Sequence, residues 1–269
     1  MDKRNYSWGY RVRAKYYWYV KGISFTQVKQ MISEVVDVEI IPSISAGAPT
    51  SCIDIKELST TTDKILVVDN SLATCGLCAP GLLGADIIIE YMSYVALESS
   101  CVAIGIGRDS KLLQGHIAAI EDMFEPYLVN DIDKVMIAQS VGSIAERCRL
   151  WSDAAQVVAR FLSCHPKVAE IRYVGNEGDP SKEIASRTLR SGFGPLVHFR
   201  LKDTSSETTF KFMDEFVVPN ACKNQPFTDH PFSIKANLNN PKELWFEIVC
   251  GTWSEKEVIL ALEKALREI

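Results

Sequence analysis

Residues 65–106 read ILVVDNSLATCGLCAPGLLGADIIIEYMSYVALESSCVAIGI, and they hold three short runs dense in β-branched side chains: Ile65 to Val68, Ile87 to Tyr91 and Val102 to Ile106. A fourth run, Val38 to Ile41, lies upstream across the turn-rich segment Pro42-Ser43-Ile44-Ser45-Ala46-Gly47-Ala48-Pro49. Short apolar runs separated by turn signals and helical stretches predict strands of a largely parallel sheet with helices on its faces. From about Asp131 the period changes. Apolar residues at helical spacing (Val135, Ile137, Ala138, Val141, Ile144, then Ala154, Val157, Val158, Phe161, Leu162) predict one long helix or two consecutive ones up to His165. Beyond it come an expected strand at Ile171 to Val174, another at Leu196 to Leu201, and a terminal amphipathic helix from Ser254 to Ile269. That helix opens with the capping box Ser254-Glu255-Lys256-Glu257, and Val258, Leu260, Ala261, Leu262, Ala265 and Leu266 are expected to face inward.

Composition sets outer bounds. The chain has 269 residues, 47% of them apolar, and a formal charge of −5, which suits a globular protein with a sizeable core in two domains. The apolar stretches are interrupted before membrane-spanning length, and the sequence from Met1 has no apolar run of signal-peptide type. Eight cysteines without a secretory signal fit a reducing compartment, so the expected location is the cytoplasm.

Two local patterns have competing readings. Cys75-Gly76-Leu77-Cys78 has the spacing of a redox or zinc pair, but the four histidines (His116, His165, His198, His230) are isolated in sequence, which favours buried or turn cysteines. Residues 3 to 21 interleave Lys3, Arg4, Arg11, Arg13, Lys15 and Lys21 with Tyr6, Trp8, Tyr10, Tyr16, Tyr17, Trp18 and Tyr19. Such a mixture binds single-stranded nucleic acid in some proteins. Here the chain is acidic overall, and the alternation from Tyr10 to Tyr16 is that of a half-buried strand, so an interface arm is favoured over nucleic acid.

Val67-Val68-Asp69-Asn70-Ser71 and Leu83-Gly84-Ala85-Asp86-Ile87-Ile88 resemble, in residues and spacing, the family of cystathionine γ-synthases, cystathionine lyases and homoserine or methionine sulfur-transfer enzymes. Further matches are the turn His165-Pro166-Lys167-Val168, the segment Ser191-Gly192-Phe193-Gly194 and the step His230-Pro231. The resemblance runs from about Phe25 to the C-terminus. It implies a reduced pyridoxal-phosphate-dependent transferase fold of the aspartate-aminotransferase type. This α/β architecture has an N-terminal arm over residues 1–24, a truncated large domain over 25–130, and a linking helix with an α+β small domain over 131–269.

The same resemblance exposes departures. Where the family reads H-S-A-T-K-Y and its lysine holds the coenzyme as a Schiff base, this chain reads Glu90-Tyr91-Met92-Ser93-Tyr94-Val95. Tyr94 stands at the lysine position. A phenol cannot form an imine, and no lysine lies between Lys64 and Lys111, which argues against ordinary covalent pyridoxal catalysis. What the resemblance leaves is a vestigial, weak site for pyridoxal phosphate, with Asp69 toward the ring nitrogen and Ser93 toward the phosphate. Read locally, Asp69-Asn70 simply ends a buried strand and caps a turn. The family's carboxylate-binding arginine has its counterpart at Glu247, unless the register slips by one and Glu247 is an outward-facing strand residue. The segment that supplies the family's phosphate-binding turn has no counterpart, Gly105-Ile106-Gly107 being too short a match.

Three function classes follow. The favoured one is a catalytically disabled relative acting as a structural or regulatory partner, in a homo-oligomer or with a full-length paralogue. The others are an active carbon–sulfur lyase or transferase completed by a partner chain, and a small-ligand module using the inherited cleft. A truncated sheet leaves an apolar face and a strand edge for another chain to cover. Sedimentation velocity at micromolar concentration is therefore expected to show a species heavier than one chain; a stable monomer contradicts the expectation.

Overall fold

The computed structural model describes residues 7–45, 47, 49–92, 95, 100–107, 112–215, 232–237, 244–251 and 254–269. In chain order the elements are α1 (Trp8–Val12), β1 (Tyr16–Val20), α2 (Phe25–Val35), β2 (Val38–Pro42), β3 (Ile44–Ser45), β4 (Ser51–Cys52), α3 (Ile55–Thr61), β5 (Ile65–Asp69), α4 (Thr74–Leu77), β6 (Ile87–Tyr91), β7 (Val102–Ile106) and α5 (Ile117–Phe124). There follow α6 (Asp131–Cys164), β8 (Val168–Arg172), α7 (Lys182–Thr188), β9 (Leu196–Leu201), α8 (Ser206–Asp214), β10 (Phe232–Asn237), β11 (Trp245–Cys250) and α9 (Glu255–Glu268). The chain divides into two compact units, one from Met1–Ser45, Cys52–Glu146 and Arg187–Ser191, the other from Ala46–Ser51, Arg147–Ser186 and Gly192–Ile269. Among the described residues no helix is long and apolar enough to cross a membrane.

The first unit is built on a five-stranded sheet in the order β1-β7-β6-β5-β2. β2, β5 and β6 run parallel, while β7 is antiparallel to both β6 and β1, so the sheet, expected to be largely parallel, is mixed: parallel from β6 to β2 and antiparallel from β6 to β1. Val67, Ile87, Ile89, Ile104 and Ile106 form one buried face with Val28 and Ile32 of α2 and Ile120 and Phe124 of α5. Leu66, Val68, Ile88 and Ala103 on the opposite face are equally buried. Burial on both faces is why these strands read as unbroken apolar runs.

The N-terminal segment departs from its sequence reading. Tyr10 to Tyr16 is not a strand: Trp8–Val12 forms α1, Arg13 turns the chain at φ 63°, and β1 begins only at Tyr16. Trp8 and Val12, one helical turn apart, are both fully buried, and that spacing outweighed the alternation of apolar and basic residues. β1 pairs with β7 at the sheet's edge, Trp18 opposite Ile104. Trp8 lies over Gly105 of β7, where an added Cβ would come within 3.0 Å of its ring and 2.8 Å of the Ala14 methyl.

The second unit carries a four-stranded antiparallel sheet in the order β10-β11-β9-β8. Val197, Phe199, Phe246 and Ile248 face Ala154, Ala155, Val158, Ala159 and Leu162 of α6 and the stripe Val258, Leu262, Ala265 and Leu266 of α9. α6 is one uninterrupted helix of 34 residues. The capping box of α9 forms as its sequence implies, Ser254 Oγ accepting from the Glu257 N–H and Glu257 from the Ser254 N–H. Leu260, expected inward, is 59% exposed because it sits two residues from Val258 and so points away from the buried stripe.

The strand expected at Ile171 to Val174 begins earlier, at Val168. Tyr173 leaves the sheet instead, with its hydroxyl between the carbonyls of Ser152 and Gly194 at 3.2 and 3.1 Å. Gly192 (φ 127°) passes so close to Ser152 that a Cβ there would lie 2.3 Å from the hydroxyl oxygen. That hydroxyl accepts the Gly194 N–H at 3.0 Å.

Phe246 is the hub of this core, stacked on Phe199 at 5.2 Å and edge-on to Phe212 at 5.0 Å. Phe246→Ala removes both ring contacts and opens a cavity, and is expected to destabilise the second unit by about 3–5 kcal/mol, read as a lower urea midpoint by near-ultraviolet circular dichroism.

Candidate functional site

In open sheets with parallel strands, ligands bind at the carboxyl ends of those strands. Here that edge is lined by Ser43 after β2, Asp69-Asn70-Ser71 at the end of β5, and Glu90 and Tyr91 at the end of β6. β5 and β6 are in parallel register, with Asp69 beside Ile89, and the Asn70 N–H continues the ladder to the Ile89 carbonyl at 2.8 Å.

Glu90 is fully buried. Its two oxygens accept from Asn70 Nδ2 at 2.9 Å and from the Cys75 N–H at 3.0 Å. Burial pushes its carboxyl up from an ordinary 4.5 to about 7, while these two donors pull the other way. The Cys75 N–H is aimed at Glu90 by a turn in which Thr74 adopts φ 56°, a left-handed conformation costly for a β-branched residue. A third bond, from the Tyr91 N–H to Ser71 Oγ at 3.0 Å, ties the same loop to the same strand end.

Asp69 is half-buried, and its oxygens are already engaged. Oδ1 accepts the Ser71 N–H at 3.1 Å, and Oδ2 is paired with Lys29 Nζ of α2 at 2.9 Å. Lys29 in turn lies 4.6 Å over the Phe25 ring, and Phe25 packs against Tyr91 at 6.1 Å. Ser93 and Tyr94, the other candidates from the sequence, lie outside the described residues.

The paired cysteines are interior groups. Cys75 and Cys78 are both buried, and burial holds the Cys78 thiol far above its ordinary value, opposite to what a nucleophilic or metal-binding thiol requires. Among the described residues no three His, Cys, Asp or Glu side chains gather as a metal site would need.

In the second unit Glu247 sits on β11 between Phe246 and Ile248, whose side chains enter the core, so its own side chain takes the other face of the sheet. Its register partner on β9 is His198, and Glu247 Oε2 lies 3.4 Å from His198 Nε2. His198 is fully buried, and neither ring nitrogen makes an aligned hydrogen bond.

Sequence reasoning missed three of these residues. Lys29 lies 40 residues from Asp69 in a helix whose periodicity speaks only of Val28 and Ile32, so no local signal marks it. Glu90 was legible as a lone charge after Ile87-Ile88-Ile89, and His198 as a polar residue inside Leu196 to Leu201.

The fold is that of the pyridoxal-phosphate-dependent enzymes of sulfur amino-acid metabolism. The family model described as Cys/Met metabolism PLP-dependent enzyme matches residues 14–225, and the chain belongs to that family. It is 31% identical over 162 residues to cystathionine beta-lyase of Lactococcus lactis subsp. cremoris, covering 59% of this chain and 42% of that one. Against cystathionine gamma-synthase of Mycobacterium tuberculosis the identity is 31% over 156 residues, covering 55% and 38%. The chain thus spans about two fifths of the length of these relatives. The fold matches a crystal structure of cystathionine gamma synthase from Xanthomonas oryzae pv. oryzae in complex with aminoacrylate and cysteine, with a TM-score of 0.72 at 16% identity over 93% of this chain and 67% of that one.

The family is pyridoxal-phosphate-dependent, but the described residues do not fit that coenzyme well. Asp69, the carboxylate the resemblance assigns to its ring nitrogen, is already neutralised by Lys29.

Glu90 gives the site a pH signature. The unfolded chain loses this proton near 4.5 and the folded chain only near 7. The folded state's advantage is therefore whole below pH 4.5 and has gone above pH 7, a change of about 3 kcal/mol. Glu90→Gln stays neutral throughout, so wild-type stability relative to E90Q is expected to fall by about that amount between pH 4.5 and 7 in paired urea titrations.

Proposed function

We propose that the chain is a non-catalytic member of its family, a structural or regulatory partner in an oligomer formed with a second copy or with a lysine-bearing paralogue in the cytoplasm. The observation that carries this reading is the position of Tyr94, four residues beyond Glu90 in the sequence. Hydrogen bonds from Asn70 and Cys75 to Glu90 fix where β6 ends relative to β5, and the sequence then runs to Tyr94 and on to Lys111 without an amine. With no lysine on that segment, the chain lacks the amine with which its family makes the imine.

The carboxylate of Glu247 supports the same reading. Placed where the resemblance puts an arginine, it repels an amino-acid carboxylate. The oligomeric part of the reading is supported by the exposed start of α6, where Ile132, Val135 and Met136 are 73%, 58% and 44% exposed and, at spacings of three and four, lie on one face of the helix.

The test is incubation of the purified protein with pyridoxal phosphate, borohydride reduction, peptide mapping and an assay with cystathionine. No saturable single-site lysine label and no turnover above buffer are expected. A stoichiometric label at one lysine together with turnover would sink the proposal.

A further inference from the structure

Lys29 and Asp69 come from elements 40 residues apart, yet they meet at 2.9 Å with both side chains largely shielded, 33% and 17% exposed. Most surface ion pairs are looser and contribute little. This one is fixed at three points. The Ser71 N–H holds the second carboxylate oxygen, the Phe25 ring lies beneath the ammonium, and the capping box of Ser24 and Gln27 anchors the start of α2 one turn before Lys29. Val28 and Ile32 bury the helix on either side of it.

We propose that Lys29 is an internal occupant of the ligand edge: its ammonium holds the Asp69 carboxylate in the place of a protonated ring nitrogen and so closes the site to pyridinium ligands. The inference deepens the non-catalytic reading above and rests on it. A carboxylate attracts a pyridinium because it offers an uncompensated negative charge. Paired with an ammonium, Asp69 offers almost none, and a second cation brought to it meets the like charge of Lys29. The aromatic face of Phe25, the other group that would welcome a cation, is taken by the same ammonium. Lys29 thereby determines specificity without touching a ligand, by denying the carboxylate to one.

The probe is pyridoxine 5′-phosphate, which lacks the aldehyde and therefore cannot form imines with surface lysines. Binding is followed by isothermal titration to millimolar ligand for the wild type, Lys29→Met, Lys29→Gln, Asp69→Asn and the double variant Lys29→Met/Asp69→Asn. Circular dichroism and thermal melts establish which variants are folded, and Lys29→Gln decides if Lys29→Met is not. The wild type is expected to show no saturable binding. The single variants are expected to bind at least tenfold more tightly, and the double variant to lose that gain. Saturable wild-type binding that Asp69→Asn abolishes would overturn the proposal, as would folded single variants that gain nothing. The gain is asked only of the two Lys29 variants, and either overturning outcome leaves the non-catalytic reading standing, since that depends on covalent labelling and turnover, which this ligand cannot give.

Discussion

A carboxyl group that meets no water organises the ligand edge of the parallel strands. Glu90 accepts the Asn70 amide and the Cys75 N–H from the same loop. That loop carries Asp69 and Ser71 at its start and a left-handed Thr74 at its middle. Leaving either donor unpaired in the interior costs more than a surface hydrogen bond contributes, so the loop has one low-energy path across the strand ends. The strain at Thr74 is tolerated because it delivers the Cys75 N–H to an acceptor that burial has made indispensable. The placement of Asp69, and with it the contact to α2, follows from that path.

Asp69, which the resemblance assigns to binding, and Glu247, which stands at the family's arginine position, each meet a neighbour from their own unit. In the first unit Asp69 faces Lys29; in the second Glu247 faces His198. A binding site ordinarily keeps its charges available for a ligand. Here Lys29 pairs with Asp69, and neither ring nitrogen of the buried His198 makes an aligned hydrogen bond beside Glu247.

The central strands were legible because burial on both faces leaves a continuous apolar signature that needs no knowledge of partners. The long helix and the capped terminal helix were legible for a similarly local reason. The N-terminal segment was not, since apolar residues alternating with Arg11, Arg13 and Lys15 satisfy a strand period while Trp8 and Val12 satisfy a helical one, and only the packing against Gly105 decides. The strand after α6 was displaced because Tyr173, a good strand former, finds buried carbonyl acceptors outside the sheet. Of the candidate site, Asp69 was visible as the polar end of an apolar run. Its partner was not, because an ion pair spanning 40 residues leaves no periodic trace in either segment.

The contact between Trp8 and Gly105 carries an implication for descent. A methyl group beneath this fully buried indole would force the ring and the Ala14 methyl to shift, and the bare backbone leaves a void if the indole shrinks. Mutational drift at one of these two positions is thus conditional on the other. Among homologues, bulk at the first and its absence at the second should covary, although most of a hundred residues separate them.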